Sequence, residues 1–479
     1  VVVDGTTLVS GTNKVDKIQL LCGTAFTAQA GGDRPRTLPR ATAAKMGDMY
    51  ILYQNRICPV QSFARDFTYK LCGSTSYKGY TAEQVLAGWL FYFEDWKKEP
   101  VFKVKGGEVR AIMGIEGKYA SLSDFLNSYG ENIIGMILDT MKMNDPRRQQ
   151  FSAANRQYMQ IVSLLNGTTL KIFPLRDSTD KVSWYSQSDP LPVESLSEGE
   201  YLFVRKQMSY CQELVMLNDM RTLDTLFAKV RSFQKSRAGD ILPSEAKFKT
   251  EKFYNVITPG RPVAIATIVL GLLFLTYTIA DVRRGGVWVR RVNWAILIFA
   301  ALYLAVLFVL RWVLSGYVPL TGGYETMLFL ALCVALFAAC GGRRSPMLLS
   351  GGLLILGFVL LAAMMEGVRP PVSHTMPVLK SPLLLAHVAV IMFAYALLAY
   401  ALVNSVAALC IRLFHKEWMD KVLRLRDVSL TMLYPALFFL VAGIIIGSVW
   451  ANITWGNYWS WDPKEVWALI TAIVYAIPL

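Results

Sequence analysis

The sequence predicts a polytopic α-helical membrane protein of about seven spans, the last truncated, behind a mainly helical N-terminal extracytoplasmic domain with minor β structure. Three observations carry this. Residues 1–262 scatter their charges as soluble proteins do, whereas from Pro262 on charges retreat into short clusters between apolar runs about as long as a bilayer is thick. The density of basic charge in the connections alternates along the chain. The N-terminal half carries helical periods with only brief strand-like stretches. At 479 residues the chain is too long for one ordinary domain, and it divides into 1–262 and a membrane domain at 263–479.

Taken in order, the first forty-five or so residues are rich in Gly, Thr and Ala and give no strong period. VVVDGTTLVSGTNK has neither the basic start nor the apolar core of a signal peptide. A compact unit begins at Met49, where YILYQNRICPVQSFARDFTYKLCG runs from a short strand into a helix. Pro59 fits the start of that helix, and Phe63, Phe67 and Leu71 recur at helical spacing. Another helix begins at Thr81 with Glu83 and Gln84 in its first turn, and FKVKGGEVRAI (102–112) reads as a hairpin turning at Gly106–Gly107. Helical patterns follow at 121–142, 146–166, 197–236 and 243–257, with a short strand near 170–174. This half holds no nucleophile–base pair, no glycine-rich phosphate loop and no histidine, which excludes an ordinary zinc site. Acid pairs such as Glu94–Asp95 read as solvated surface.

Apolar spans follow at about 263–280, 291–314, 324–340, 347–365, 383–410 and 429–449, with an incomplete one from 464. That last run stops at Leu479 without a polar flank, so the sequence reads as a piece of a longer polypeptide. The connections 281–291, 341–346 and 411–427 carry eleven Lys/Arg, and those around 315–323, 366–382 and 450–463 carry only Arg369 and Lys380. By the positive-inside rule the basic set is cytoplasmic, which puts residues 1–262 and the 450–467 stretch on the outer, periplasmic side of an inner membrane. The formal charge of +14 is thereby a topology signal and does not point to nucleic acid. Of seven cysteines, Cys22, Cys58, Cys72 and Cys211 lie in the N-terminal half; spacing assigns no disulfide among them.

Three histidines are available. His415 sits in a basic connection and reads as solvated; His374 lies in an outer loop with no assigned role. His387 falls within the first two turns of a span entering from the outer side, where an ionisable residue marks a functional site or a helix–helix hydrogen bond. Glu325, just inside the third span, calls for an ion-pair partner, with Arg311 and Arg369 both on the same side.

The richest stretch is WANITWGNYWSWDPKEVW, which places Trp450, Trp455, Trp459, Trp461 and Trp467 in eighteen residues, interleaved with Gly456, Asp462 and Glu465. Pro463 after Asp462 reads as the first residue of a new helix. An interfacial aromatic belt explains one or two tryptophans per helix end. Five make a flat apolar surface suited to a large planar ligand, and His387 shares their side of the membrane. A transporter or exporter of some other flat or lipid-like substrate is the alternative reading, and a purely structural scaffold is the third.

The motif closely resembles the tryptophan-rich signature of the system II cytochrome c assembly proteins, the CcsA or ResC family, of the form W-G-x-x-W-x-W-D-x-x-E. PVLKSPLLLAHVAVIMFAYALLAY resembles that family's second signature, and PLTGGYETMLF is similar to its short loop-and-glutamate motif. YQNRICPVQSFARDFTYKLCG is similar to the ResB-like extracytoplasmic region found fused to it in Bacteroidetes-type versions. The resemblance implies carriage of haem b across the membrane and its covalent attachment to the C-x-x-C-H motif of apocytochromes c, a haem lyase-type synthase activity. It implies His387 as an axial ligand of the haem iron, with Trp450, Trp455, Gly456, Trp459, Trp461, Asp462 and Glu465 holding the porphyrin. It implies thiol-reducing partner proteins and further N- and C-terminal parts of the same polypeptide, which carry other histidines in the family. No catalytic residue is implied, because the thiols belong to the cytochrome.

Overall fold

The computed structural model describes residues 34–176, 181–258, 260–280, 286–342, 345–365, 372, 381–414 and 417–479. His374, His415, Arg369, Lys380 and Cys22 lie outside these residues. The chain forms two compact units, one ending at Phe248 and the other beginning at Lys249. The compositional boundary at 262 lies one helix further on.

In the N-terminal unit, α1 (Arg40–Gly47) precedes a hairpin of β1 (Tyr50–Tyr53) and β2 (Arg56–Pro59). Gln54 and Asn55 both take positive φ, 50° and 59°, which matches the two-residue turn that the twist of a hairpin favours. Pro59 caps α2 (Val60–Cys72), and Phe63, Phe67 and Leu71 are buried on one face, as their spacing predicts. The short pair β3 (Ser76–Tyr77) and β4 (Tyr80–Thr81) leads into α3 (Ala82–Phe91), where Thr81 and Gln84 form a reciprocal capping box. After α4 (Phe93–Trp96), strand β5 (Phe102–Lys103) does not turn back at the glycines. Gly106, at φ 103°, starts α5 (Gly107–Ile112) instead, and β5 pairs with β6 (Tyr119–Ala120). The expected hairpin at 102–112 is wrong because Glu108, Arg110 and Ala111 favour helix and Val109 is drawn into the core.

The rest of this unit is α6 (Ile133–Thr140), α7 (Arg148–Leu165), the hairpin β7 (Phe173–Arg176) and β8 (Val182–Tyr185), α8 (Glu198–Met216), α9 (Met220–Ala238) and α10 (Glu245–Ile257), which runs across the division between units. Two expected helices differ. Within 121–142 only a 3-10 turn at Ser123–Phe125 and α6 are helical, because the Asn127 side chain accepts from the amides of Tyr129 and Glu131 and folds the intervening residues into a turn. The pattern at 197–236 is two helices: Asn218 takes φ 58°, and Asp219 caps α9 through the amide of Thr222. The unpatterned N-terminal stretch also contributes, since Leu38, Ala43 and Met46 are buried ahead of Met49. Buried Gln234 on α9 ties the sheet down: its Oε1 accepts from Tyr50 N, and its Nε2 donates to Tyr50 O and Ile172 O. An amide so placed has nearly all its hydrogen-bonding capacity satisfied.

The second unit makes this a multi-pass membrane protein. Among the described residues six helices are long and apolar enough to span a bilayer: α11 (Arg261–Ile279), α12 (Gly286–Ser315), α13 (Gly323–Gly341), α14 (Pro346–Ala363), α15 (Pro382–Phe414) and α16 (Met419–Trp455). A shorter helix, α17 (Pro463–Ala476), follows. α14 is the most enclosed, packing against α11 and α13, while α15 and α16 pair along most of their lengths. At the start of α13 the buried ion pair is made by Arg311: its Nε donates to Glu325 Oε1 at 2.8 Å. Glu325 Oε2 accepts from Thr321 N, Thr321 Oγ1 and Gly322 N, so one carboxylate fixes both the guanidinium on α12 and the loop before α13.

Arg311→Met leaves a buried carboxylate without its charge partner and is expected to cost about 3–5 kcal/mol, whereas Arg311→Met with Glu325→Leu recovers most of that loss. Denaturant unfolding in detergent micelles measures both; equal stability of the single and double variants contradicts the pairing.

Candidate functional site

The site grows out of the α15–α16 contact. On α15, His387, Ile391, Ala394 and Leu398 recur at four-, three- and four-residue steps; on α16, Leu433, Ala436, Leu440, Gly443 and Gly447 do the same. These stripes are the facing seams of an antiparallel pair. His387 ends the α15 stripe and meets the two glycines of GIIIG on α16. A Cβ on Gly443 would lie 2.6 Å from Ile391 Cδ1, and one on Gly447 would lie 2.6 Å from the imidazole of His387. The small-residue pair lets the two helices close to where Nδ1 of His387 is 2.7 Å from Gly443 O. A carbonyl only accepts, so Nδ1 carries the proton, and in the neutral ring Nε2 keeps its lone pair. Among the described residues Nε2 has no hydrogen-bond partner.

Trp450 lies three residues beyond Gly447, about 5 Å further along the same face of α16. Its indole packs edge-on against Trp455, with ring centroids 4.9 Å apart, and its Nε1 is buried with no acceptor. The connection expected around 450–463 is thus helical in its first part. Helix α16 runs unbroken through Trp455, because Ala451, Asn452, Ile453 and Thr454 do not interrupt it, and Gly456 ends it in the left-handed conformation at φ 80°. The irregular segment is short, and α17 begins at Pro463, as its position after Asp462 predicts. Trp467 lies exposed on α17.

Within the turn, Trp459 and Trp461 meet edge-on with centroids 6.0 Å apart. Trp461 is 71% exposed and takes φ 57°, a conformation that costs a bulky L-residue roughly 1–2 kcal/mol. What holds it there is Glu465. Its Oε2 accepts from Ser460 N at 2.8 Å and from Asp462 N at 3.3 Å, the amides on either side of Trp461. Asp462 in turn caps α17 by accepting from Lys464 N at 2.8 Å. The two acids expected at the ligand therefore have a structural role of their own, since together they clamp the turn that displays Trp461. The structure brings His387 and Trp450 to adjoining turns of the α15–α16 pair, and sets Trp459, Trp461, Asp462 and Glu465 together in the turn beyond. Gly443, Gly447 and the backbone carbonyl of Gly443 were not singled out in the sequence; the G-x-x-x-G spacing was the available signal.

The N-terminal unit offers no reactive thiol among its described residues. Cys58, Cys72 and Cys211 are buried, and burial pushes the Cys211 thiol up to about 12 and raises Cys72 as well. Among the described residues no cluster of His, Cys, Asp and Glu is placed to hold a metal ion.

Residues 320–479 match the family described as cytochrome C assembly protein, which takes in His387 and the whole Trp-rich stretch. The protein NrfI of Wolinella succinogenes is 28% identical over 461 residues, covering 91% of this chain and 49% of NrfI, so that likeness runs through the N-terminal unit as well. Cytochrome c biogenesis protein CcsA of Chlamydomonas reinhardtii is 35% identical over 190 residues, 37% of this chain and 54% of the relative. CcsA of Cyanophora paradoxa is 30% identical over 245 residues, 40% of this chain and 76% of the relative. The chain belongs to the CcsA-type, system II cytochrome c biogenesis family. It spans about half the length of NrfI and of the Chlamydomonas protein.

Two outcomes follow from this geometry. Glu465→Ala is expected to lower amide protection at 460–462 in hydrogen exchange, Trp461→Gly to retain it with about 1 kcal/mol less strain, and Lys464→Ala to change neither; unchanged protection in Glu465→Ala removes the clamp. In the folded chain at pH 8, iodoacetamide should leave Cys72 and Cys211 unmodified, since both are buried and largely protonated; rapid labelling of Cys211 contradicts its enclosure.

Proposed function

We propose that this protein carries haem to the outer side of a bacterial-type inner membrane and presents it there for covalent attachment to apocytochrome c. Membership of the family supports the process, and one observation carries the residue-level reading: the protonated Nδ1 of His387 is held by Gly443 O, which leaves Nε2 without a partner among the described residues. A histidine bound to a metal commonly donates its other ring N–H to a backbone carbonyl, which fixes tautomer and orientation. In this reading Nε2 is the axial ligand of the iron. Trp450, Trp455, Trp459 and Trp461 give the macrocycle apolar contact, and the orphaned Nε1–H of Trp450 suits a propionate oxygen. Gly456, Asp462 and Glu465 serve by shaping the turn.

The substrate in this reading is haem b, the form whose vinyl groups are still intact. Attachment adds each thiol of a C-x-x-C-H motif across a vinyl group: a C–S bond forms, and the thiol proton goes to the adjoining carbon, with no net oxidation. The thiols act only when reduced, so a thiol-reducing partner belongs to the process. The protein's contribution is to hold haem and peptide in a fixed geometry, and no side chain of its own has to act as nucleophile. The basic connections at 281–291, 341–346 and 411–427 support a cytoplasmic assignment for that side, which puts the Trp-rich turn and the N-terminal unit outside.

Protein purified in detergent from a haem-replete host is expected to show a Soret band that shifts on dithionite reduction. His387→Ala should lose most of it, and Gly447→Val should weaken it by pushing the imidazole aside. Full haem content in His387→Ala overturns the axial assignment, and the absence of any haem in the wild type, with its tryptophans required for export of another substrate, favours the transporter reading.

A further inference from the structure

The helix ends on the basic side of the membrane unit enclose a second feature, remote in sequence from the Trp-rich turn. The C-terminal end of α11 and the N-terminal ends of α12 and α14 surround a cavity of about 310 Å³ lined by Phe274, Thr278, Arg290, Asn293, Leu349 and Ser350, among others. Phe274 and Leu349 give it apolar wall; the polar groups are arranged unevenly. Asn293 is only 3% exposed, and its Oδ1 has no hydrogen-bond partner among the described residues. An unpaired buried acceptor is costly, which sets it apart from the satisfied polar groups of the neighbouring spans. Thr278 and Ser350 touch at 2.7 Å, yet Thr278 Oγ1 also lies 2.7 Å from Phe274 O and Ser350 Oγ 3.0 Å from Pro346 O. Two hydroxyl protons serve these three contacts, so both oxygens have lone pairs to spare.

The inner part of the cavity therefore offers acceptors and calls for a ligand that donates. Arg290, exposed, supplies a fixed positive charge, and among the described residues none that lines the cavity is acidic. A bound ammonium would meet Arg290 with no counter-charge, whereas a phosphate would pair with it and hydroxyls attached to that phosphate would reach the acceptors. Asn293 falls at the start of the apolar run read at 291–314, which sets it near the boundary between headgroups and hydrocarbon.

We propose that this crevice binds the headgroup of an anionic lipid in which the phosphate is esterified to a polyol, as in phosphatidylglycerol. Arg290 takes the phosphate, Asn293 Oδ1 and the Thr278–Ser350 pair accept from the glycerol hydroxyls, and Phe274 and Leu349 line the start of the acyl chains. The site is independent of the haem reading.

The test is native mass spectrometry and thermal unfolding of the delipidated full protein in detergent, titrated with phosphatidylglycerol, phosphatidylethanolamine or free glycerol phosphate. Phosphatidylglycerol is expected to remain bound at one copy and raise Tm, with the other two ineffective. Arg290→Gln should weaken retention about tenfold, and Asn293→Leu should weaken it while keeping the wild-type Tm in the absence of lipid or raising it. Should Asn293→Leu fail to fold, Arg290→Gln, at an exposed position, decides alone. Equal retention by Arg290→Gln, or equal effects of phosphatidylethanolamine, overturns the charge argument. Protection by free glycerol phosphate as strong as by the lipid overturns the membrane source of the ligand.

Discussion

The second unit is organised by one requirement: polar groups carried into an apolar span must find partners on neighbouring helices, because no water is there to supply them. Arg311 and Glu325 satisfy each other and the loop before α13. The Tyr400 hydroxyl donates to Val334 O across the α13–α15 contact, and Trp294 Nε1 donates to Ala339 O between α12 and α13. These bonds do more than avoid a penalty. Each one joins two spans at a defined height, which is how a stack of apolar helices with little directional preference acquires a register.

Against that background the exceptions are informative. Nε2 of His387, Nε1 of Trp450 and Oδ1 of Asn293 are polar atoms with no partner among the described residues, in a unit that pairs most others. The first two lie on adjoining turns of one helix pair, and the third lines a cavity. Asn404 Nδ2 on α15 is also orphaned, and the structure offers no reason for it.

The Trp-rich turn shows a related economy. Trp461 occupies a left-handed conformation that a bulky residue avoids, and the strain persists because Glu465 holds the amides on both sides of it. The same Glu465, with Asp462, starts α17. Display of an exposed indole and initiation of a helix are thus one structural event, and a substitution at either acid disturbs both. The N-terminal unit contributes differently. Its described thiols are enclosed, and its buried amide, Gln234, ties the β1 and β7 region to α9.

Much was determined by the sequence alone. Apolar runs of bilayer length located all six spans, because the hydrocarbon thickness sets a minimum length, although the helix expected at 429–449 runs from Met419 to Trp455. Spacing placed Phe63, Phe67 and Leu71 on the buried face of α2, and Pro463 at the start of α17. The partner of Glu325 was narrowed to two arginines, of which the structure takes Arg311. What sequence misjudged was local competition. Gly106–Gly107 was read as a hairpin turn, but Gly106 precedes a helix whose Val109 is buried. The Trp-rich stretch looked like a loop because polar residues punctuate it, yet Asn452 and Thr454 cost a helix little once its other face is packed. The orientation of His387 was beyond reach for a deeper reason. It depends on two residues of another helix, Gly443 and Gly447, that act by having no side chain, and only the close approach of α15 and α16 gives that absence a consequence.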